Sequence, residues 1–441
     1  MQLFRKICLG LGGISLLLLV IGLIGSSPGL WQASAVGLAV FLSIGIGAIP
    51  SLQNYQYTGW IIAAVVAGMI YPSAFLEWGD FDLRNQWVIL IVVQLVMFGM
   101  GTQMSLDDFS GLASSGRGVL IGLLAHFSVM PLVGFGLTQL FGFEPEIAAG
   151  VILIGSCSGG LASNVMVYLA RSNLVLSVTM TAMSTLVAPL MTPLLMKLLS
   201  GTLIEVLFVD MMMQIIKIVI IPIGAALLYD YLKKASDKGW RTVRILSWIS
   251  AVWLLALPLG WWSLLETVLP AVLLQSAGMV GFVGSAILAG VGYHWLTIRF
   301  PKTDDFMPYI SMFGIVYFTT VTTAAGREHL LTIGLLLFLA AVIHNTAGYV
   351  FGYGLARLTG LDKNSARAIA FEVGMQNGGM ASGLAGSMGK LGTVGLASAV
   401  FSPWMNITGS ILANYWKKRP VTEEESELET ERQTLASAPS K

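Results

Sequence analysis

Apolar residues in this chain come in long, nearly unbroken stretches, and about 20 such residues are what a helix needs to cross the hydrocarbon of a bilayer. Fourteen stretches can be read, at 7–25, 32–50, 57–72, 86–104, 117–140, 147–169, 174–199, 206–231, 244–263, 270–297, 306–325, 331–357, 365–388 and 392–415. Lipid offers no partner to a free backbone N–H or C=O, so the stretches read as helices and the chain as an all-α integral membrane protein. Only 11% of the residues are charged and 56% are hydrophobic, whereas an ordinary soluble domain carries roughly 25% charged residues. A water-soluble enzyme is excluded, and little chain remains for an extramembrane domain. The formal net charge of +1 provides no basic surface for nucleic acid. Cys8 and Cys157 both sit in apolar stretches, which excludes a disulfide framework and a structural zinc site.

Loop charges test the span count, because Lys and Arg gather on the cytoplasmic side. With Arg5 and Lys6 inside, the run from Lys233 to Arg244 and Arg117, Arg171, Arg299, Lys302, Arg357, Lys363, Arg367 and Lys417 to Arg419 also fall inside. Arg84, Lys197, Arg327 and Lys390 fall outside, and Lys217 lies within a stretch. Both termini are therefore expected in the cytoplasm, with the chain in a bacterial inner membrane. The basic start and first apolar run also fit a signal peptide cut after Ala33-Ser34-Ala35. Against that, the run to Gly25 is long, the cut lies far from its end, and cleavage inverts the charge parity. Beyond Trp416 a basic cluster leads into Glu423, Glu424, Glu425, Glu427, Glu429 and Glu431, a composition expected of a disordered cytoplasmic tail over 417–441.

Two glycine-interrupted segments resemble each other: Gly159-Gly160-Leu161-Ala162-Ser163-Asn164 and Gly378-Gly379-Met380-Ala381-Ser382-Gly383, offset by 219 residues. His126 and His344 share an offset of 218, and Pro189 and Pro403 one of 214. Seven crossings separate the two motifs, an odd number, so the repeats should be inverted in the bilayer. Inverted repeats with paired broken helices are a secondary-transporter architecture, with the site at the midplane between the breaks. The alternative is that Gly-Gly only permits close helix packing.

Glu372 is the one carboxylate placed deep in a stretch, beside Gly374, Gln376, Asn377, Gly378 and Gly379. A charge at the bilayer centre costs about 2.5–3.5 kcal/mol, so it implies a partner or a task. Unwinding there would free carbonyl oxygens which, with the carboxylate, suit a hard cation such as sodium. Ser163, Asn164, Ser177, Thr181, Ser184 and Thr185 supply further oxygens, with Ser177, Thr181 and Ser184 on one helix face. The alternative for Glu372 is a protonated or salt-bridged group serving packing. Enzyme signatures fail. Gly25-Ser26-Ser27-Pro28-Gly29 fits a nucleophile elbow but joins two helices where the motif needs a strand-to-helix turn. His294 reads as a packed or interfacial histidine, and His329 as a loop residue.

The stretch from Cys157 to Val165, the run LVLSVTMTAMSTLVAPLMTPLL from Leu174 to Leu195, and Glu372-Val373-Gly374-Met375-Gln376-Asn377 resemble the signatures of the bile acid:sodium symporter family. The resemblance covers about 57–415 less one insertion. It implies a ten-span core of panel and core domains with two crossing broken helices. It also implies one sodium on Ser163, Asn164, Ser177, Thr181 and Glu372, and a second on Glu372, Val373, Met375, Gln376 and a polar residue of the 117–140 span. That last residue is His126, where the family usually has Gln. A neutral imidazole offers one lone pair and a protonated ring none, so a proton on His126 either weakens the second sodium or replaces it; otherwise the ring simply packs on the neighbouring helix. Ser158 stands where a Pro usually precedes Gly-Gly. The pairs at 7–50 and 244–297 are additions, giving about fourteen transmembrane helices. The expected units are 1–52 (extra N-terminal pair), 53–232 (first repeat and start of the second), 233–304 (inserted pair), 305–416 (remainder of the second repeat) and the 417–441 tail.

The expected function is sodium-coupled symport of a small organic anion, bile-acid-like, keto acid or pantoate-like, by alternating access, with Asn377, Asn345 and Thr185 as candidates for the substrate cavity. Partners are that anion and membrane lipid. Coupling to one sodium is electroneutral for a monovalent anion, so a tenfold gradient gives about 1.4 kcal/mol. A second sodium adds as much again, plus about 2.3 kcal/mol per 100 mV. The other readings are a proton-coupled carrier or anion exporter of the same architecture, or a membrane sensor that has lost transport.

Overall fold

The structure, a computed structural model, describes residues 1–50 and 52–421. Most of the acidic tail thus lies outside the described residues. All fourteen apolar stretches fall on helices: α1 (Gln2–Ile24), α2 (Pro28–Gly45), α3 (Gln56–Ile70), α4 (Gln86–Gly101), α5 (Gly111–Phe141), α6 (Pro145–Ser156), α7 (Leu161–Leu169), α8 (Leu174–Ser200), α9 (Phe208–Ile215), α10 (Ile221–Lys234), α11 (Asp237–Ala256), α12 (Trp261–Val268), α13 (Ala271–Arg299), α14 (Thr303–Ala325), α15 (Arg327–Leu358), α16 (Lys363–Gly374), α17 (Gly378–Ser387) and α18 (Leu396–Lys417). Among the described residues, eight helices are long and apolar enough to cross a membrane, the α9–α10 rod counting as one. The other six stretches fall on short α3 and α4, on α14 and α18, and on the half-helix pairs α6–α7 and α16–α17. Residues 216–220 join α9 to α10 through one π-helical turn. A two-stranded hairpin, Glu77–Trp78 with Phe81–Asp82, was not expected between α3 and α4. Arg84 bonds Asp82 there at 2.9 Å and holds its carboxyl below the usual carboxylate range.

Local chemistry explains where the helices start and stop. The Asn173, Asp362 and Asn377 side chains accept the backbone N–H groups of Leu176, Ser365 and Met380, capping α8, α16 and α17. Pro145 opens α6 at the first-turn position where its missing N–H costs nothing. Gly142, at φ +62, ends α5 with a backbone turn that other residues avoid.

Packing sorts the helices into two groups. One is a row in the order α1, α2, α3, α14, α4, α10, α13, α11, each packed on the next. The other is a bundle in which α5, α8, α15 and α18 surround the half-helices. Ile147 to Ser156 of α6 and Ser365 to Gly374 of α16 are all buried. Broken helices survive at membrane depth only when protein rather than lipid covers them. The row meets the bundle closely where α17 lies on α4. A Cβ at Gly379, Gly383 or Gly386 would sit 3.2, 2.5 or 2.7 Å from Met97, Val93 or Ile89, so those three positions, on one helix face, leave α17 no side chain to interpose.

Candidate functional site

Both glycine motifs break their helices. Residues 157–160 separate α6 from α7, and 375–377 separate α16 from α17. The two gaps lie against each other as a single antiparallel bridge, Gly159 opposite Gln376. Asn377 N donates to Ser158 O at 2.9 Å and Gly160 N to Met375 O at 3.3 Å. Each break thus satisfies part of the backbone the other exposes. The approach depends on glycine, since a Cβ on Gly160 would lie 2.9 Å from Gln376 O.

Glu372 sits at this crossing, 1% exposed. Ser163 Oγ and Ser177 Oγ donate to its Oε1 at 2.5 and 2.6 Å, and Thr181 Oγ1 to its Oε2 at 2.9 Å. Asn164 Oδ1 lies 2.7 Å from Ser177 Oγ and 3.1 Å from Thr181 Oγ1. The helical spacing of Ser177 and Thr181 brings both hydroxyls to one carboxylate. Ser184, one further turn along, accepts Gly159 N at 3.2 Å. The structure therefore brings together Ser163, Asn164, Ser177, Thr181 and Glu372 as a cage of oxygens. Among the described residues no Lys or Arg forms an ion pair with Glu372. A carboxylate this buried needs a compensating cation or proton, and an all-oxygen donor set suits a hard cation rather than a transition metal.

The carbonyls of the second break are close by but occupied. Val373 O accepts Gln376 Nε2 at 2.9 Å, and Met375 O accepts Gly160 N. His126 reaches the crossing from α5, with Nδ1 3.0 Å from Glu372 O and Nε2 2.8 Å from Cys157 O. The ring thus sits between the two broken helices and directs neither nitrogen at free space, and in its neutral form it donates to one of the two carbonyls. Gln376 Oε1 and Asn377 Nδ2 are buried without a hydrogen-bond partner among the described residues, although such groups are nearly always paired.

Cavities flank the crossing. One, of about 330 Å³, lies between the row and the bundle and is lined by Tyr57, Gln103, Gln376, Asn377, Met405 and Asn406 among others. Asn377 lines this cavity, and Asn345 and Thr185 are not among its lining residues. Asn345 Nδ2 donates to Gly374 O at 2.8 Å and its Oδ1 accepts Thr408, while Thr185 Oγ1 donates to Thr181 O at 2.8 Å. Both side chains are spent inside the bundle. His344, the repeat partner of His126, bonds Met130 O at 2.7 Å instead of the crossing. A larger vestibule of about 870 Å³ opens at the opposite ends of the helices, with Glu144, Glu146, Glu205 and Asp210 in its wall and Lys390 paired to Glu146.

Membrane-length helices packed around two crossed broken helices, with a carboxylate at the crossing, make a transporter of the broken-helix kind. A model of the Sodium Bile acid symporter family matches residues 90–263. The uncharacterized sodium-dependent transporter YocS of Bacillus subtilis (strain 168) is 34% identical over 362 residues, 82% of this chain and 90% of that protein. The chain belongs to the sodium bile acid symporter family. The probable sodium/metabolite cotransporter BASS1, chloroplastic, of Arabidopsis thaliana is 29% identical over 81% of this chain and 72% of its own length. The ileal sodium/bile acid cotransporter of Homo sapiens is 27% identical over 66% of each chain. These relatives are transporters, not enzymes. The sodium proton antiporter MjNhaP1 from Methanocaldococcus jannaschii aligns over 88% of this chain and 98% of its own at 13% identity, with a TM-score of 0.48. That likeness is too loose to argue from.

Proposed function

We propose that this protein is a sodium-coupled symporter of a small organic anion, working by alternating access as the bundle moves against the row. The observation that carries the reading is the oxygen cage around Glu372, a buried carboxylate that among the described residues pairs with no cationic side chain. One sodium is held by Ser163, Asn164, Ser177, Thr181 and Glu372. The anion occupies the cavity beside the crossing, where the unpaired Asn377 Nδ2 is a ready donor to a carboxylate. At about 330 Å³ the cavity is at the small end of ligand sites, which favours a keto acid or pantoate-like acid over a bile acid. The fourteen-span topology with both termini in the cytoplasm of an inner membrane rests on the loop charges. The test is uptake of labelled carboxylates into vesicles under an inward sodium gradient, with a potassium gradient as control. Equal uptake under both gradients rejects sodium coupling.

The second sodium is the point on which His126 matters. Its ring lies between Glu372 O and Cys157 O, two carbonyls that a cation at the crossing would otherwise take, so a single coupled sodium is expected. His126→Gln replaces the ring with a side chain of similar reach that offers an amide oxygen at the crossing and leaves Glu372 O without its ring partner. The sodium Hill coefficient of uptake is expected near 1 in the parent and to rise above 1 in the variant. Identical coefficients in the two proteins leave His126 without a role in coupling.

The row explains why the added pairs need not touch the site. α1 and α2 pack chiefly on each other and on α3, at one end of the row. A chain lacking residues 1–52 should still fold and keep its sodium-dependent rise in Tm. Loss of that rise in a monodisperse truncated protein makes the N-terminal pair part of the core.

A further inference from the structure

Lys217 lies ten residues into the α9–α10 rod, counting from Phe208, so about 14 Å from its start at 1.5 Å per residue. That puts its backbone near the middle of a hydrocarbon layer of roughly 30 Å, where a lysine marks a function by default, and its side chain lines a cavity with Gln86 and Trp87 at the start of α4. Among the described residues no carboxylate pairs with it. Its Nζ lies 5.4 Å from the centre of the Phe282 ring on the inserted helix α13.

A second feature converges on the same place. The π turn at 216–220 contains Lys217, and Gln94 Nε2 on α4 donates to the Lys217 carbonyl at 3.2 Å. Single π turns inside α-helices are associated with functional sites. Lys217 lines a cavity of about 250 Å³ together with Gln214, Trp87, Phe282, Gly383 and Ser387. Gln214 and Ser387 also line the large acidic vestibule, so the two spaces are neighbours. The pocket floor is α17, the half-helix that leads straight back to the crossing. A fixed cation over an aromatic face, with amide and hydroxyl groups around it, is a receptor for a carboxylate on a small apolar body.

We propose that Lys217, with Gln214 and Ser387, forms a binding subsite for a small monocarboxylate at the contact of the row with α17, distinct from the cavity beside Asn377. Resting on the symport reading, it is the station an anion meets between the acidic vestibule and the crossing. Among the described residues Glu205 and Asp210 of the vestibule lie in none of the ion pairs that take up Glu144 and Glu146. They repel an anion and draw a cation there, so a positive group just inside it is where a carboxylate is retained. Phe282 belongs to the inserted helix, which gives the insertion a share in the pocket wall.

The test uses the full-length protein in nanodiscs of zwitterionic lipid, which hold no anionic headgroup to compete. Binding of trifluoroacetate, 5-fluorovalerate and 4-fluorobenzoate is followed by ¹⁹F line broadening, with 4-fluorobenzamide as the uncharged isostere. At least one acid should bind the parent and the amide should not. Lys217→Gln should weaken that acid at least about tenfold, the scale of one lost charge-assisted hydrogen bond, while Lys217→Arg keeps most of the affinity. The sodium-dependent rise in Tm should be the same in Lys217→Gln as in the parent, because the oxygen cage is untouched. Equal acid binding by Lys217→Gln, equal binding of the amide, or no binding of any of the acids overturns the subsite. Loss of the sodium response in Glu372→Gln with fluorinated-acid binding intact keeps the subsite independent of the cation site. Conversely, a parent with no sodium response that still binds the acid through Lys217 rejects the coupling while the subsite stands.

Discussion

Glu372→Gln is expected to abolish sodium-dependent uptake and the sodium-dependent rise in Tm while leaving the protein folded. The amide has nearly the same shape as the carboxylate and can still accept Ser163 Oγ and Ser177 Oγ, which lie 2.5 and 2.6 Å from Oε1. Its NH₂ can donate to Thr181 Oγ1, now 2.9 Å from Oε2. What is lost is the negative charge, since among the described residues the other side chain that Ser177 and Thr181 meet is the neutral Asn164. Sodium affinity should fall at least about a hundredfold, equivalent to roughly 2.7 kcal/mol. Removing a buried charge also eases insertion, so yield and unfolding temperature without sodium should hold or rise. A variant that transports with unchanged sodium affinity shows that the cage is not the cation site.

Gly160→Val should be nearly as damaging by a different route. The first atom of the new side chain would lie 2.9 Å from Gln376 O and 3.4 Å from Gln376 C. Neither backbone can retreat without breaking the bonds from Gly160 N to Met375 O and from Asn377 N to Ser158 O. Overpacking of this sort costs about 1–3 kcal/mol, and here the strain falls on the segments that hold Glu372 and Ser163 in register. The variant should keep its helical circular dichroism and lose both uptake and the sodium response. Gly136→Ala is the control, since a Cβ there meets nothing within 4 Å. If Gly160→Val retains uptake at the level of Gly136→Ala, the crossing is not rigid enough to matter.

The sequence carried the site further than the fold. A lone carboxylate in an apolar stretch, paired glycines at a constant offset, and hydroxyls one helical turn apart are all local signals, and they converge in space on Glu372. Contacts made by backbone across the chain left no local trace. That the two breaks bridge each other, or that His126 spans Glu372 O and Cys157 O, follows from how the repeats dock. Asn345 and Thr185 looked like cavity residues because they are polar in apolar helices. Their bonds go to the nearest carbonyls inside the bundle, an outcome that polarity alone does not separate from lining a cavity. The π turn within Ile216-Lys217-Ile218-Val219-Ile220 is invisible for the opposite reason, since that run reads equally well as unbroken α-helix.

The row of helices has a bearing on which part of the molecule travels. The pair α1–α2 at one end and α13 with α11 at the other widen it well beyond the stretch that faces the bundle. Leu17, Val20, Trp248, Ile249 and Val252 project from these outer helices, all 47% exposed or more, and in a bilayer they would be solvated by acyl chains. Tilting such a blade would drag a broad belt of lipid with it, whereas the bundle is narrower and could shift with less disturbance. On the proposed alternating access, viscous resistance favours the blade as the anchored part and the bundle as the shuttle. By this argument the added helices affect how fast the cycle turns, and apart from Phe282 in the Lys217 pocket they stand clear of the oxygen cage and of the cavity beside Asn377.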